Sequence, residues 1–226
     1  MGLRGAGAKK SNRAASFEPP AWKRKRGRAA RVISFLESLP ITKGILVGTK
    51  MKLLPGQRDF VQAIYGRLSP DGRRKTRIAI KSEPRGNGKT GLVAGLMLAH
   101  LLGPECEPRG ECYSAAYNKL QAALIFAEMR AIIEAVPEFE ARCNIQRYGK
   151  VIEVLEGDGA GSIYESLSAD DKRAHGLSPS FWAYDEYAQA PNSDLLDTLR
   201  TSMGKRNESL GVVISTQAPN DFHLAS

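Results

Sequence analysis

Residues 83–102 read EPRGNGKTGLVAGLMLAHLL, and the reading of this stretch decides the fold. It ends as a phosphate-binding loop ends, in Gly88-Lys89-Thr90 followed by an apolar helical pattern. The usual loop begins with a glycine five positions before its Gly-Lys glycine, and here Glu83 stands at that place, with Pro84 and Arg85 behind it. Gly86 and Gly88 let the backbone bend and come close to a ligand. A helix N-terminus after them offers unpaired N–H groups and the positive end of its dipole. In such a loop Lys89 reaches the β- and γ-phosphates and Thr90 offers its hydroxyl to Mg²⁺. The alternative is a glycine turn with a surface lysine, and the loop alone does not decide between them.

A second stretch does. FWAYDE, 181–186, is an apolar strand ending in Asp185 and Glu186. An Asp at the carboxyl end of a strand can hold Mg²⁺, and a Glu beside it can orient an attacking water and take its proton. Two acids at a strand end are common, but strand, loop, Lys-Thr, helix and then strand with Asp-Glu are jointly rare. A third stretch, GVVISTQ at 211–217, gives an apolar strand ending in polar residues, with Thr216 at the place where a γ-phosphate contact would form.

Around these motifs the pattern alternates. Strands are predicted over 76–84, 110–117, 162–170, 180–187 and 211–217, a hairpin over 144–159, and helices over 32–41, 55–68, 88–102, 118–136 and 192–203. The stretch 44–54 reads as a short strand or extended segment. Strands alternating with helices argue for a mostly parallel sheet covered on both faces. The 226 residues suffice for one sizeable α/β domain.

The charge is unevenly placed. The chain carries 33 basic and 24 acidic residues, net +9. Residues 1–31 hold ten Lys or Arg against one acid, Glu18, so this segment alone accounts for the net charge and the remainder balances. It is poor in apolar residues and reads as a disordered basic tail before a domain over 32–226. Such an arm can bind nucleic acid through phosphate charge, or be only a solubilising leader. No apolar run approaches the ~20 residues of a membrane span, and the N-terminus lacks the apolar core of a secretory signal. Three cysteines, Cys106, Cys112 and Cys143, fit no zinc spacing and read as incidental thiols.

From about 54 to 217 the chain resembles the large terminase subunit of tailed bacteriophages and prophages. PRGNGKT is similar to that family's variant loop, in which an arginine precedes Gly-x-Gly-Lys-[Ser/Thr], so the absent first glycine is normal there and Arg85 matches the loop arginine. LLPGQRDFV resembles the upstream adenine-side motif, with Gln57 as its glutamine. FWAYDE matches the strand with the catalytic glutamate, Glu186, and ISTQ the coupling motif. SADDKRAHGLSPS resembles the approach to that strand, with Arg173 matching a trans-acting arginine finger.

The resemblance implies an α/β P-loop NTPase of the additional-strand, catalytic-glutamate type. It implies catalytic roles for Glu186, Lys89, Arg85 and Arg173 and nucleotide contacts from Gln57, Arg85, Gly86, Asn87, Gly88, Lys89, Thr90, Gly91 and Thr216. Thr90 and Asp185 would serve the metal, with ATP and Mg²⁺ as cofactors. It further implies translocation of double-stranded DNA into a prohead in the bacterial host cytoplasm. The implied partners are a portal ring, a small terminase subunit and sibling copies in a ring, with no membrane. Large terminases also carry a C-terminal nuclease domain. Residues 1–226 leave no room for one, so DNA cleavage is not expected of them. The alternatives are a helicase-like or remodelling ATPase and an inactive prophage remnant that keeps the fold.

Overall fold

The computed structural model describes residues 21–84, 86–116, 119–168, 176–187 and 192–215. Its helices are α1 (Arg28–Leu36), α2 (Pro55–Tyr65), α3 (Lys89–Leu101), α4 (Lys119–Ala135), α5 (Pro137–Glu140) and α6 (Asp194–Ser202). Its strands are β1 (Ile78–Ser82), β2 (Glu111–Ala116), β3 (Cys143–Gln146), β4 (Val151–Val154), β5 (Ile163–Ser168), β6 (Phe181–Asp185) and β7 (Leu210–Ser215).

The seven strands form one sheet in the order β1-β7-β6-β2-β5-β4-β3. The five from β1 to β5 are parallel, and β4 and β3 add an antiparallel hairpin at one edge. One strand, β7, stands between the loop-bearing β1 and the acid-bearing β6. This is the additional strand of the expected fold type. Register brings the strand ends level: Ser82 pairs with Ser215, Ile214 with Asp185, and Asp185 with Ala116.

Two cores cover the two faces. On one, α1 to α4 pack Phe35, Leu36, Ile64, Leu96, Met97 and Ile132 against Phe181, Val212 and Ile214. On the other, α6 packs Leu195, Leu196 and Leu199 against Tyr113, Trp182 and Tyr184. Helix α3 is buried on nearly every side, from Leu92 to Leu101. That explains why its sequence is apolar all round rather than striped. Trp182 lies flat over Gly211 on the neighbouring strand: a Cβ at Gly211 would run into the indole ring.

Two expectations change. The sequence reads as a basic tail over 1–31, but Ala21–Arg24 form a 3₁₀ turn and α1 begins at Arg28 rather than 32. Trp22 packs edge-on against Phe35, and Arg28 pairs with Glu105 (2.8 Å) and Glu208 (2.6 Å), so long-range contacts fold a segment that looks too polar to fold alone. The stretch 44–54 is not a strand. Gly44 and Gly48, both at positive φ, bend it into a tight loop closed by Ile41 N–H to Thr49 O (2.8 Å) and Gly48 N–H to Ile41 O (2.9 Å). The three cysteines are free thiols, with Cys112 buried.

Candidate active site

The cleft at the carboxyl ends of β1, β7 and β6 has a volume of about 840 Å³. Its floor is the loop after β1. Gly86 (φ 91°) and Gly88 (φ 71°) occupy the left-handed region that side chains disfavour, and Gly88 caps α3. From there α3 aims its N-terminus into the cleft, and Gly86, Asn87, Gly88, Lys89, Thr90 and Gly91 all line it. Lys89 is held inside: its Nζ donates to Glu83 O at 2.7 Å and lies 3.8 Å from Glu186 Oε1.

Glu83, at the place of the missing glycine, stabilises this turn. Its main chain donates to Ser215 O at 3.2 Å, its carbonyl receives Lys89, and its carboxylate pairs with Lys81 at 2.8 Å. A residue with a side chain is tolerated there because the bend falls on the next two glycines.

The acid pair closes the cleft from the side. Asp185 is buried at the end of β6, and its pKa is pushed up to about 6, first by burial and then by Glu186 beside it. The amide of Gln121, on the first turn of α4, donates to Asp185 Oδ2 at 3.3 Å and opposes that rise, as does Lys89. Glu186 sits at φ 52°, a strained backbone for a residue with a Cβ. Strain at a non-glycine residue in a cleft is a recurring mark of functional sites.

Gln57 is placed differently from the expectation of a nucleobase contact alone. Its Oε1 accepts the N–H of Leu54 at 3.1 Å, the helix-capping half of a capping box, and its Nε2 donates to Asn87 O at 3.0 Å. The side chain is buried and ties α2 to the phosphate loop. The open end of the cleft is walled by Pro40, Ile41, Lys43, Met51, Lys52 and Leu54 from the loop before α2.

The structure therefore brings Gln57, Gly86, Asn87, Gly88, Lys89, Thr90, Gly91 and Glu186 to one cleft, with Asp185 at its edge. Arg85, Arg173 and Thr216 lie outside the described residues. Gln121 was missed by sequence reading. No signal in the sequence singled it out, because an amide on an apolar helix shows no role until Asp185 stands beside it.

The donor set fits Mg²⁺. A buried carboxylate and a helix-N-terminal hydroxyl are the sparse oxygen ligands that this ion takes when phosphates supply the rest. A cation would also relieve the repulsion between Asp185 and Glu186 that raises Asp185.

A glycine-bent loop after a parallel strand, a lysine at a helix N-terminus and an Asp-Glu pair two strands away define a P-loop NTPase site of the additional-strand type. The family model for the terminase large subunit, ATPase domain, matches residues 56–224. The chain belongs to that family. It is 40% identical over 202 residues to the large terminase subunit of Enterobacteria phage HK97, covering 88% of this chain and 38% of that protein. The crystal structure of the HK97 bacteriophage large terminase superimposes with a TM-score of 0.75 at 38% identity, over 88% of this chain and 40% of the other. The large terminase ATPase domain of Thermus phage P74-26 matches with a TM-score of 0.53 at 20% identity, over 75% and 72% of the two chains, and supports the fold alone. The chain spans less than half the length of the HK97 relative. Among the described residues no helix is long and apolar enough to cross a membrane.

Proposed function

We propose that this chain is the ATP-hydrolysing motor of a phage genome-packaging machine, translocating double-stranded DNA into a prohead. Family membership favours this over the helicase-like and inactive-remnant readings. The observation that carries the chemistry is the convergence of Lys89 and Glu186, 3.8 Å apart, beside buried Asp185.

In this reading the glycine-bent loop and the N-terminus of α3 receive the triphosphate, and Lys89 exchanges its bond to Glu83 O for phosphate oxygens. Thr90 and Asp185 hold Mg²⁺, which supplies positive charge to the phosphate oxygens. Glu186 orients a water and accepts its proton as it attacks the γ-phosphate. Arg85 serves the loop it sits in, Thr216 contacts the γ-phosphate, and Arg173 reaches the nucleotide of a neighbouring subunit. The chain would act as a ring on the portal, with a small terminase subunit, in the cytoplasm of the host.

Lys89→Ala tests the assignment. Loss of such a transition-state contact costs on the order of 10² or more in rate. Glu186→Gln should retain nucleotide and lose hydrolysis. A folded Lys89→Ala protein with unchanged ATPase activity would remove the catalytic reading. For Arg173, mixing Arg173→Ala with Glu186→Gln subunits should restore part of the activity, since each supplies what the other lacks.

A further inference from the structure

Two basic segments far apart in sequence meet at the end of the sheet opposite the cleft. One is 23–31, with Lys23, Arg24, Lys25, Arg26, Arg28 and Arg31; the other is 67–77, with Arg67, Arg73, Arg74, Lys75 and Arg77. Against these eleven cations the two segments contain one acid, Asp71. Residues 67–77 form a tight turn before β1, closed by Lys75 N–H to Arg67 O (2.9 Å) and Ser69 N–H to Arg73 O (2.8 Å).

The two are joined by shared carboxylates. Glu105, just past the end of α3, receives Arg28 at 2.8 Å and Arg74 at 3.5 Å. Glu208, just before β7, receives Arg28 at 2.6 Å and the main-chain N–H of Arg74 at 2.7 Å, and its carbonyl takes the Arg74 guanidinium. Both segments wall one cleft of about 480 Å³. The acids at this cleft are engaged by arginines: Glu107 pairs with Arg206, as Glu105 and Glu208 pair with Arg28 and Arg74. Of the others, Lys23 pairs with Asp158, Arg73 pairs with Asp71, and Arg77 donates to the main-chain oxygens of Met203, Arg206 and Asn207. Lys25, Arg26, Arg67 and Lys75 are exposed, whereas Arg74 is buried with none of its side chain accessible.

Half-buried Arg28 and buried Arg74 are already paired with Glu105 and Glu208, so the like charge that the joined segments present to solvent is that of the exposed Lys25, Arg26, Arg67 and Lys75, whose repulsion an anionic partner would offset. Long, exposed Lys and Arg side chains suit a chain of phosphates rather than base edges. We propose that this surface, at the amino ends of the strands, is a sequence-independent docking site for the phosphodiester backbone of double-stranded DNA, with Arg28, Arg74, Glu105 and Glu208 as its scaffold. The proposal rests on the packaging reading and adds to it the place where DNA is held.

The test is a fluorescence-anisotropy titration of a 20-base-pair duplex against the full chain at several salt concentrations. Two pairs of substitutions leave the scaffold intact: Lys25→Ala with Arg26→Ala, and Arg67→Ala with Lys75→Ala. Each phosphate contact contributes about 0.9 to the slope of log affinity against log salt. Each pair should therefore flatten the slope by about one to two and lower affinity about tenfold or more near 0.1 M salt, and the four together should do more than either pair. The pair Arg147→Ala with Lys150→Ala, at the β3–β4 turn toward the other end of the sheet, changes net charge equally and should leave the slope alone. Basal ATPase activity and Tm should not move in any variant. An unchanged slope and affinity in either pair, or an equal loss in the Arg147 and Lys150 variant, would overturn the surface. Absence of ATPase activity in the unsubstituted chain would instead count against the packaging reading, because the DNA titration reads the surface independently.

Discussion

The side-chain amide of Gln57 donates to the main-chain oxygen of Asn87 at 3.0 Å, while its own oxygen accepts the N–H of Leu54. One buried residue thus fixes both the start of α2 and the middle of the phosphate loop. A nucleobase reader and a loop tether make different demands. If Gln57 acts as the tether, Gln57→Ala should weaken ATP and GTP binding by similar factors, on the order of tenfold for about 1.4 kcal/mol. It should also cost about 1 kcal/mol of stability for the lost hydrogen bonds. Titration with both nucleotides decides: a loss confined to ATP would return Gln57 to the base.

Glu186 stands at φ 52°, where a side chain costs roughly 1 kcal/mol and glycine almost nothing. Glu186→Gly should therefore be at least as stable as the parent while losing hydrolysis. The same substitution also removes a carboxylate repelling buried Asp185. Thermal unfolding checks it. A clear drop in Tm for Glu186→Gly would show that the loop does not store this strain.

His100 is buried at the base of α3, its Nε2 2.9 Å from the Tyr65 hydroxyl and its ring stacked on Phe181. Burial, then the nearby Arg74 and Arg28, lower its pKa well below 6.5. The sign follows. Below about pH 6.5 the unfolded chain gains a proton on this ring that the folded chain refuses, so stability falls as pH falls from 7 toward 5. The slope from one such group is at most about 1.4 kcal/mol per pH unit. His100→Gln removes the titrating group, so its Tm should change less over that range. Parallel curves for the two proteins would exclude His100 as a contributor.

The chemistry was legible because it is local. The loop, the Asp-Glu pair and the apolar strand before each are contiguous, and backbone geometry alone carries Lys89 and Glu186 to the same cleft once β1 and β6 are parallel. The mostly parallel, helix-covered sheet followed from the alternation of strands and helices. What could not be read depends on partners distant in the chain. Residues 21–31 fold because Arg28 finds Glu105, 77 positions away, and Glu208, 180 positions away. Composition sees only the charge. The loop over 44–54 misled for the opposite reason: its Ile45, Leu46 and Val47 have strand character, but two glycines at positive φ set the path and leave all three exposed. Gln121 escaped because an amide on an apolar helix carries no chemistry until its neighbour is known.

That neighbour is Asp185. The Gln121 amide supplies its Oδ2 with a hydrogen bond at 3.3 Å, in a place where burial and Glu186 both favour the protonated acid. If Asp185 serves Mg²⁺ as proposed it must be ionised, and the bond favours that form. The contact falls on the first turn of α4, a helix of 17 residues from Lys119 to Ala135. Gln121→Ala should raise, by a few-fold, the Mg²⁺ concentration needed for half-maximal binding of a fluorescent ATP analogue. Asp185→Asn should raise it much further. The double variant separates the bond from a general effect on the helix: if Gln121 acts through Asp185, the Ala substitution adds nothing once Asp185→Asn is present. Circular dichroism and Tm of each single variant establish that α4 is intact. Should Gln121→Ala cost the same in both backgrounds, its effect does not pass through Asp185, and the proposed link between α4 and that carboxylate is lost.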